Sequence, residues 1–173
     1  MTHRDFPRFD ENTAPAGARE PLAQTRKAFG MLPAPLTRYA SSPMMLGAAL
    51  TGLDAFEKSS LEPLEREVLA MTMGRLNSCK FCLDFHRRAL KRLQAPSELV
   101  GALELGEPLA NARLEALRRF VLALLEERGD VSRRVWDDFR AAGYTHQQAL
   151  EVLTGVSVYT LTTLANRLTE TSE

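Results

Sequence analysis

The stretch EPLEREVLAMTMGRLNSCKFCLDFHRRALKRL, from Glu62 to Leu93, most constrains what this chain can become. It holds both cysteines of the sequence, Cys79 and Cys82, in a Cys-x-x-Cys spacing, with His86 four residues further on. Leu64, Val68, Leu69 and Met73 recur at helical spacing before Asn77 and Ser78, and Phe81, Phe85, Leu90 and Leu93 recur after them. The expected result is a hairpin of two helices that meet at an Asn-Ser turn.

Such a hairpin decides which side chains can meet. Glu67 lies ten residues before Asn77, and His86 nine residues after it. At a rise of roughly 1.5 Å per residue both sit about 14 Å from the turn, level with each other across an antiparallel pair. Cys82 lies one helical turn from His86 on the same face, and Cys79 about one turn from Cys82, at the helix start. Glu67, His86, Cys82 and Cys79 are therefore a candidate chain of contacts.

That order has a chemical use. The thiolate is the reactive form of cysteine, and a helix N-terminus or a neighbouring imidazolium lowers a thiol pKa from about 8.5 toward neutrality. A carboxylate beyond the imidazole can fix its tautomer and pass protons, as in other arrangements of nucleophile, base and orienting group. The same four residues could formally ligate zinc, but a closed zinc site usually draws on a second cysteine pair, which this sequence lacks.

The pattern of Glu67, eleven residues, Cys79-x-x-Cys82, three residues and His86 resembles the active-site signature of the alkylhydroperoxidase D (AhpD)-like branch of the carboxymuconolactone decarboxylase superfamily. The resemblance extends through FGMLPAPLTRYASSP at Phe29 to Pro43, GEPLANARLEALRRFVLAL at Gly106 to Leu124, and AAGYTHQQALEVLTGVSVYTLTTLANRL at Ala141 to Leu168. It implies an all-helical, oligomeric protein that reduces peroxides through its cysteine pair. Other branches lack the cysteines and decarboxylate a lactone. In one departure, the peroxidase proper usually carries a histidine just before its second cysteine, where this chain has Phe81.

With 173 residues, 45% of them hydrophobic, the chain is long enough for one sizeable core and short for two. Residues 1–20, polar and without period, read as a flexible N-terminal arm with His3 in solvent, and residues 21–173 as a single domain. Lys plus Arg and Asp plus Glu both number 22, which leaves no basic excess to attract nucleic acid. Neither a secretory leader nor an apolar run of about 18 residues is evident, so the expectation is a cytoplasmic protein without a membrane span. In a reducing compartment a Cys-x-x-Cys pair is more often redox-active or metal-binding than structural.

Along the chain, Leu22 to Phe29 reads as a short helix ended by Gly30, Pro33 and Pro35. Ser42 and Pro43 open a helix in which Met44, Met45, Leu46, Ala49, Leu50, Leu53 and Phe56 are assigned to core. Pro63 opens the next, with Glu65 and Glu67 at the positive end of its dipole. Arg87, Arg88, Lys91 and Arg92 read as a solvated face. Pro96 to Leu103 is a short helix, and Leu109 to Leu125 an amphipathic one whose exposed face carries Arg113, Glu115, Arg118, Arg119, Glu126 and Glu127. Ser132 caps the next helix, Val131 and Trp136 form a hydrophobic staple, and Gly143 ends it. Thr145 and Gln148 make a capping box for a final helix that is apolar almost all round, either central or at a subunit interface; His146 in its first turn has no assigned chemistry. Strand-like alternation is scarce, and the fold class is all-α.

The leading expectation is a cysteine-dependent peroxidase that needs no cofactor and no metal. Cys82 attacks a hydroperoxide, becomes a sulfenic acid and condenses with Cys79, while Glu67 and His86 relay the proton. Its partners would be the hydroperoxide, an unidentified dithiol or thiol reductant, and further copies of itself. The alternatives are a thiol-disulfide adaptor acting on a carrier dithiol, and a non-catalytic helical module that binds zinc.

Overall fold

The computed structural model describes residues 6–169, and among these residues it is built of helices alone. In chain order they are α1 (Ala16–Phe29), α2 (Ala34–Tyr39), α3 (Pro43–Glu57), α4 (Pro63–Leu76), α5 (Lys80–Arg92), α6 (Ser97–Leu105), α7 (Ala112–Glu126), α8 (Arg133–Ala141) and α9 (His146–Thr169). No helix among the described residues is long and apolar enough to cross a membrane.

Helix α4 is the axle. Every residue from Val68 to Gly74 is buried, and α5, α6, α7 and α9 all pack on it. A helix covered on all sides cannot show the one-sided apolar stripe of a surface helix. Leu69, Met71 and Met73 have no exposure, and each such side chain removed from water is worth roughly 1.5–3 kcal/mol before entropy is counted. Its partner α9 can lie close because α9 carries Gly155, where a Cβ would come within 2.5 Å of Phe56 Cε2 and 2.9 Å of Leu69 Cδ1. A second, smaller core of Leu22, Leu36, Tyr39, Leu46 and Ala49 joins α1, α2 and α3.

Several helix ends follow local chemistry. Ser42 Oγ accepts the Met45 amide at 3.3 Å. Thr145 and Gln148 form the reciprocal capping box, with contacts of 3.0 and 3.1 Å. Gly143 ends α8 at φ 90°, and a Cβ there would meet Arg113 Nη1 at 2.9 Å.

Other expectations are corrected. The first helix starts at Ala16 rather than Leu22, and Ala14 and Ala18 are buried, so the last part of the expected arm is packed structure. Asp10 organises the turn before it, accepting the amides of Asn12 and Thr13 at 2.9 Å each. His3 and the last four residues lie outside the described residues. Met44 is not core: it is 78% exposed, because the proline that opens α3 sets the residue after it on the outer side of the first turn. Ser132 makes no side-chain cap; its amide instead donates to the Glu127 carboxylate.

The polar face read on α7 is largely engaged. Glu115 accepts the Leu109 amide at 2.9 Å and both arms of Arg118 at 2.7 and 2.9 Å. Arg113 reaches buried Glu65 at 2.8 Å and lies 4.0 Å over the Tyr144 ring. Glu65 Oε2 also accepts the Glu62 amide, at 2.9 Å, so this carboxylate caps α4 while it pairs with α7.

Candidate functional site

The α4–α5 hairpin forms as its spacing predicts. Asn77 closes α4, Ser78 turns the chain at φ 51°, and Cys79 is the N-cap of α5, its sulfur accepting the Cys82 amide at 3.3 Å. The two helices approach closely because α4 carries Gly74, where a Cβ would stand 3.3 Å from Cys82 Cβ and 3.5 Å from Leu83 Cδ2.

Cys79 and Cys82 are joined in a disulfide, with sulfurs 2.17 Å apart. One turn along α5, His86 Nδ1 lies 2.8 Å from Glu67 Oε2. An ionised carboxylate only accepts hydrogen bonds, so this contact puts the proton of a neutral ring on Nδ1 and leaves Nε2 as the basic nitrogen. The structure thus places the four residues singled out from the sequence on one hairpin as two pairs, Glu67 with His86 and Cys79 with Cys82. Both cysteines are buried, Cys79 at 1% exposure and Cys82 at 6%. Among the described residues, no group of three or more His, Cys, Asp or Glu side chains is placed to hold a metal ion.

Three side chains at this site were not found by sequence reasoning. Asn166 of α9 directs Nδ2 at both sulfurs, 3.4 Å from Cys79 Sγ and 3.2 Å from Cys82 Sγ. The Tyr39 hydroxyl of α2 lies between two acceptors, the Thr162 carbonyl at 2.8 Å and Asn166 Oδ1, which share its one proton. Tyr159 sets its ring edge-on to the His86 imidazole at 5.3 Å between centroids. The available signal was a single Asn in an apolar helix, since a buried amide needs partners. Asn77 Nδ2 also donates to Thr163 Oγ1 at 2.8 Å, tying the hairpin turn to the same face of α9.

The surroundings are protective. Burial raises the phenol pKa of Tyr39, and burial together with the Glu67 charge raises that of Tyr159, so both remain protonated near neutrality. Phe81 and Phe85 stack at 5.9 Å on the outer side of α5, half-buried, and Phe85 also meets the edge of His86. Phe81 therefore contributes an apolar wall where a histidine would add a titratable group. The basic cluster beyond it is solvated as expected, with Arg87 paired to Asp84 and Glu104.

A sequence model of the carboxymuconolactone decarboxylase family matches residues 45–123, a span that contains Glu67, Cys79, Cys82 and His86. Among solved structures, the fold is similar to that of a peroxidase-related protein with an alkylhydroperoxidase AhpD core from Ralstonia eutropha JMP134. That likeness has a TM-score of 0.76 at 19% identity and covers 94% of this chain and 86% of the other. A peroxidase-related protein from Silicibacter sp. TM1040 is similar at a TM-score of 0.74 and 22% identity, over 94% and 85% of the two chains. No match was found among curated proteins.

Proposed function

We propose that the chain is a member of the AhpD-like branch of the carboxymuconolactone decarboxylase superfamily, supported by the family model that matches residues 45–123 and by the similar all-helical fold, and that it is a cysteine-dependent peroxidase that reduces hydroperoxides. The observation that carries this reading is the Cys79–Cys82 disulfide with a carboxylate-oriented imidazole one helical turn away.

In the reduced protein, Nε2 of His86 takes the proton of Cys82, and Glu67 steadies the imidazolium that results. The Cys82 thiolate attacks the terminal oxygen of the hydroperoxide; the O–O bond breaks, and the alkoxide leaves as an alcohol with the proton from His86. Cys82 is now a sulfenic acid. The Cys79 thiolate attacks its sulfur, the S–S bond forms, and hydroxide leaves and is protonated to water. The sum is one hydroperoxide and two thiols converted to an alcohol, water and a disulfide. An external thiol or dithiol then returns the pair to the starting state by exchange.

The test is direct: one equivalent of hydroperoxide added to reduced protein should remove two hydrogens from the mass, and dithiothreitol should restore them. Protein that keeps both thiols under that treatment would defeat the proposal.

A further inference from the structure

Asn166 makes its contacts to the reacting atoms from a helix that lies outside the family-matched span. Its amide is fully committed. Oδ1 is engaged by the Tyr39 hydroxyl, and Nδ2 is within hydrogen-bond reach of both sulfurs. The sulfur contacts set this assignment, because the opposite amide orientation would aim a carbonyl at two sulfurs that carry no proton in the disulfide; Oδ1 then faces the Tyr39 hydroxyl, whose one proton is shared with the Thr162 carbonyl.

A neutral disulfide sulfur is a poor acceptor, whereas a thiolate is a strong one. The same N–H is therefore worth more when the S–S bond is open. We infer that Asn166, oriented by Tyr39, is a catalytic group of the cysteine pair that donates to whichever sulfur carries the negative charge, and so stabilises the reduced, thiolate state. This deepens the peroxidase reading and rests on its redox chemistry. When the S–S bond is cleaved by a reductant thiolate, the electron pair is left on the departing sulfur, and the Asn166 N–H is already in place to receive it. When Cys82 attacks peroxide, and later when Cys79 attacks the sulfenic acid, the donor serves each nucleophile in turn without moving between them.

The helices that carry the pair and its contacts also carry titratable or charged groups. They include Glu67 and Arg75 on α4, Lys80, Asp84 and His86 on α5, Tyr159 and Arg167 on α9, and Tyr39 on α2. Asn166 differs from all of these because it contacts both sulfurs and cannot titrate.

The experiment uses reduced full-length protein and no peroxide. Thiolate absorbance is followed against pH, and the dithiol-disulfide equilibrium is measured in dithiothreitol redox buffers, for wild type, Asn166→Ala, Asn166→Asp and Tyr39→Phe. Asn166→Ala should lower the thiolate fraction about tenfold at a given pH, a midpoint about one unit higher. It should also shift the equilibrium toward disulfide by about tenfold, or about 30 mV for a two-electron couple. Asn166→Asp should shift both further, since it replaces the donor with an anion, and Tyr39→Phe should shift both in the same direction by less. A side chain that only filled space would move the melting temperature and neither readout. The inference is overturned if folded Asn166→Ala, or Tyr39→Phe where that variant does not fold, keeps the wild-type midpoint and equilibrium. A protein inert to hydroperoxide but with these shifts intact would defeat the peroxidase reading alone.

Discussion

The Glu67 carboxylate and the His86 imidazole, nineteen residues apart in sequence, meet at 2.8 Å between Oε2 and Nδ1. This contact spans the two arms of the hairpin, and it fixes the tautomer of the ring that sits one turn from Cys82. Removing either partner should therefore disturb proton transfer more than folding. Glu67→Gln and His86→Ala are expected to slow peroxide consumption by about 10²- to 10⁴-fold, the usual worth of general acid-base assistance. Both variants should retain two titratable thiols and helical circular dichroism. Wild-type rates in both would remove these residues from the mechanism.

The two cysteines should be separable by trapping. In Cys79→Ser, oxidation has no resolving thiol and should leave a sulfenic acid on Cys82 that a dimedone-type reagent captures. Cys82→Ser should react slowly or not at all, since Cys82 is the cysteine one helical turn from His86. A sulfenic acid on Cys79 in Cys82→Ser, with Cys79→Ser inert, would exchange the roles.

Close packing of α9 on α3 and α4 depends on Gly155, whose missing Cβ makes room for the Phe56 ring. Gly155→Ala should strain that contact by about 1–3 kcal/mol, despite the better helix propensity of alanine. A melting temperature lowered by several degrees in a calorimetric scan is expected, at roughly 2–4 °C per kcal/mol for a chain of this size. A rise would show that the Phe56 ring moves aside freely.

Glu115 predicts a pH dependence. Burial pushes its carboxyl up, but the Arg118 guanidinium and the Leu109 amide together outweigh burial and hold it below its ordinary value of 4.5. A folded-state pKa below the unfolded one means that the stability is present above about pH 4.5 and is lost as pH falls through the folded value. Glu115→Gln should therefore be less stable than wild type at pH 7, by roughly 1–3 kcal/mol. The two urea midpoints should converge on acidification below about pH 4. A gap that stays constant down to pH 3 would mean that the charge of Glu115 is not what stabilises.

The outer face of α9 exposes Leu150, Leu153, Leu161, Leu164 and Leu168, and the first three of these line an open groove with Ala48 and Gly52 of α3. A stripe of this kind on a single chain is expected to be covered by another copy. Light scattering at micromolar concentration should give a mass above the 19.3 kDa of one chain, and Leu153→Glu with Leu161→Glu should return it to that value. A wild-type monomer under those conditions would remove the oligomer.

Much of what lies within a few turns of a helix end was legible in the sequence, the start of α1 and the Ser132 cap excepted. Helical rise and a two-residue turn place Glu67 opposite His86, and the same rise places Cys82 one turn before it, so four site residues were readable from spacing alone. The Ser42, Pro63, Thr145 and Gly143 signals act through local backbone groups and needed no partner helix. What the tertiary structure decided is which face of α9 meets the hairpin. Polar and apolar residues are spread around that helix, so its periodicity carries no preferred direction, and close approaches such as Gly155 to Phe56 and Leu69 and Gly52 to Val158 set its rotation. This rotation carries Asn166 to the sulfurs, Tyr159 to His86 and Thr163 to Asn77. The packing of α2 then brings Tyr39 to Asn166, 127 residues away in sequence. Contacts at that separation arise from the packing of whole helices, and no local spacing rule encodes them.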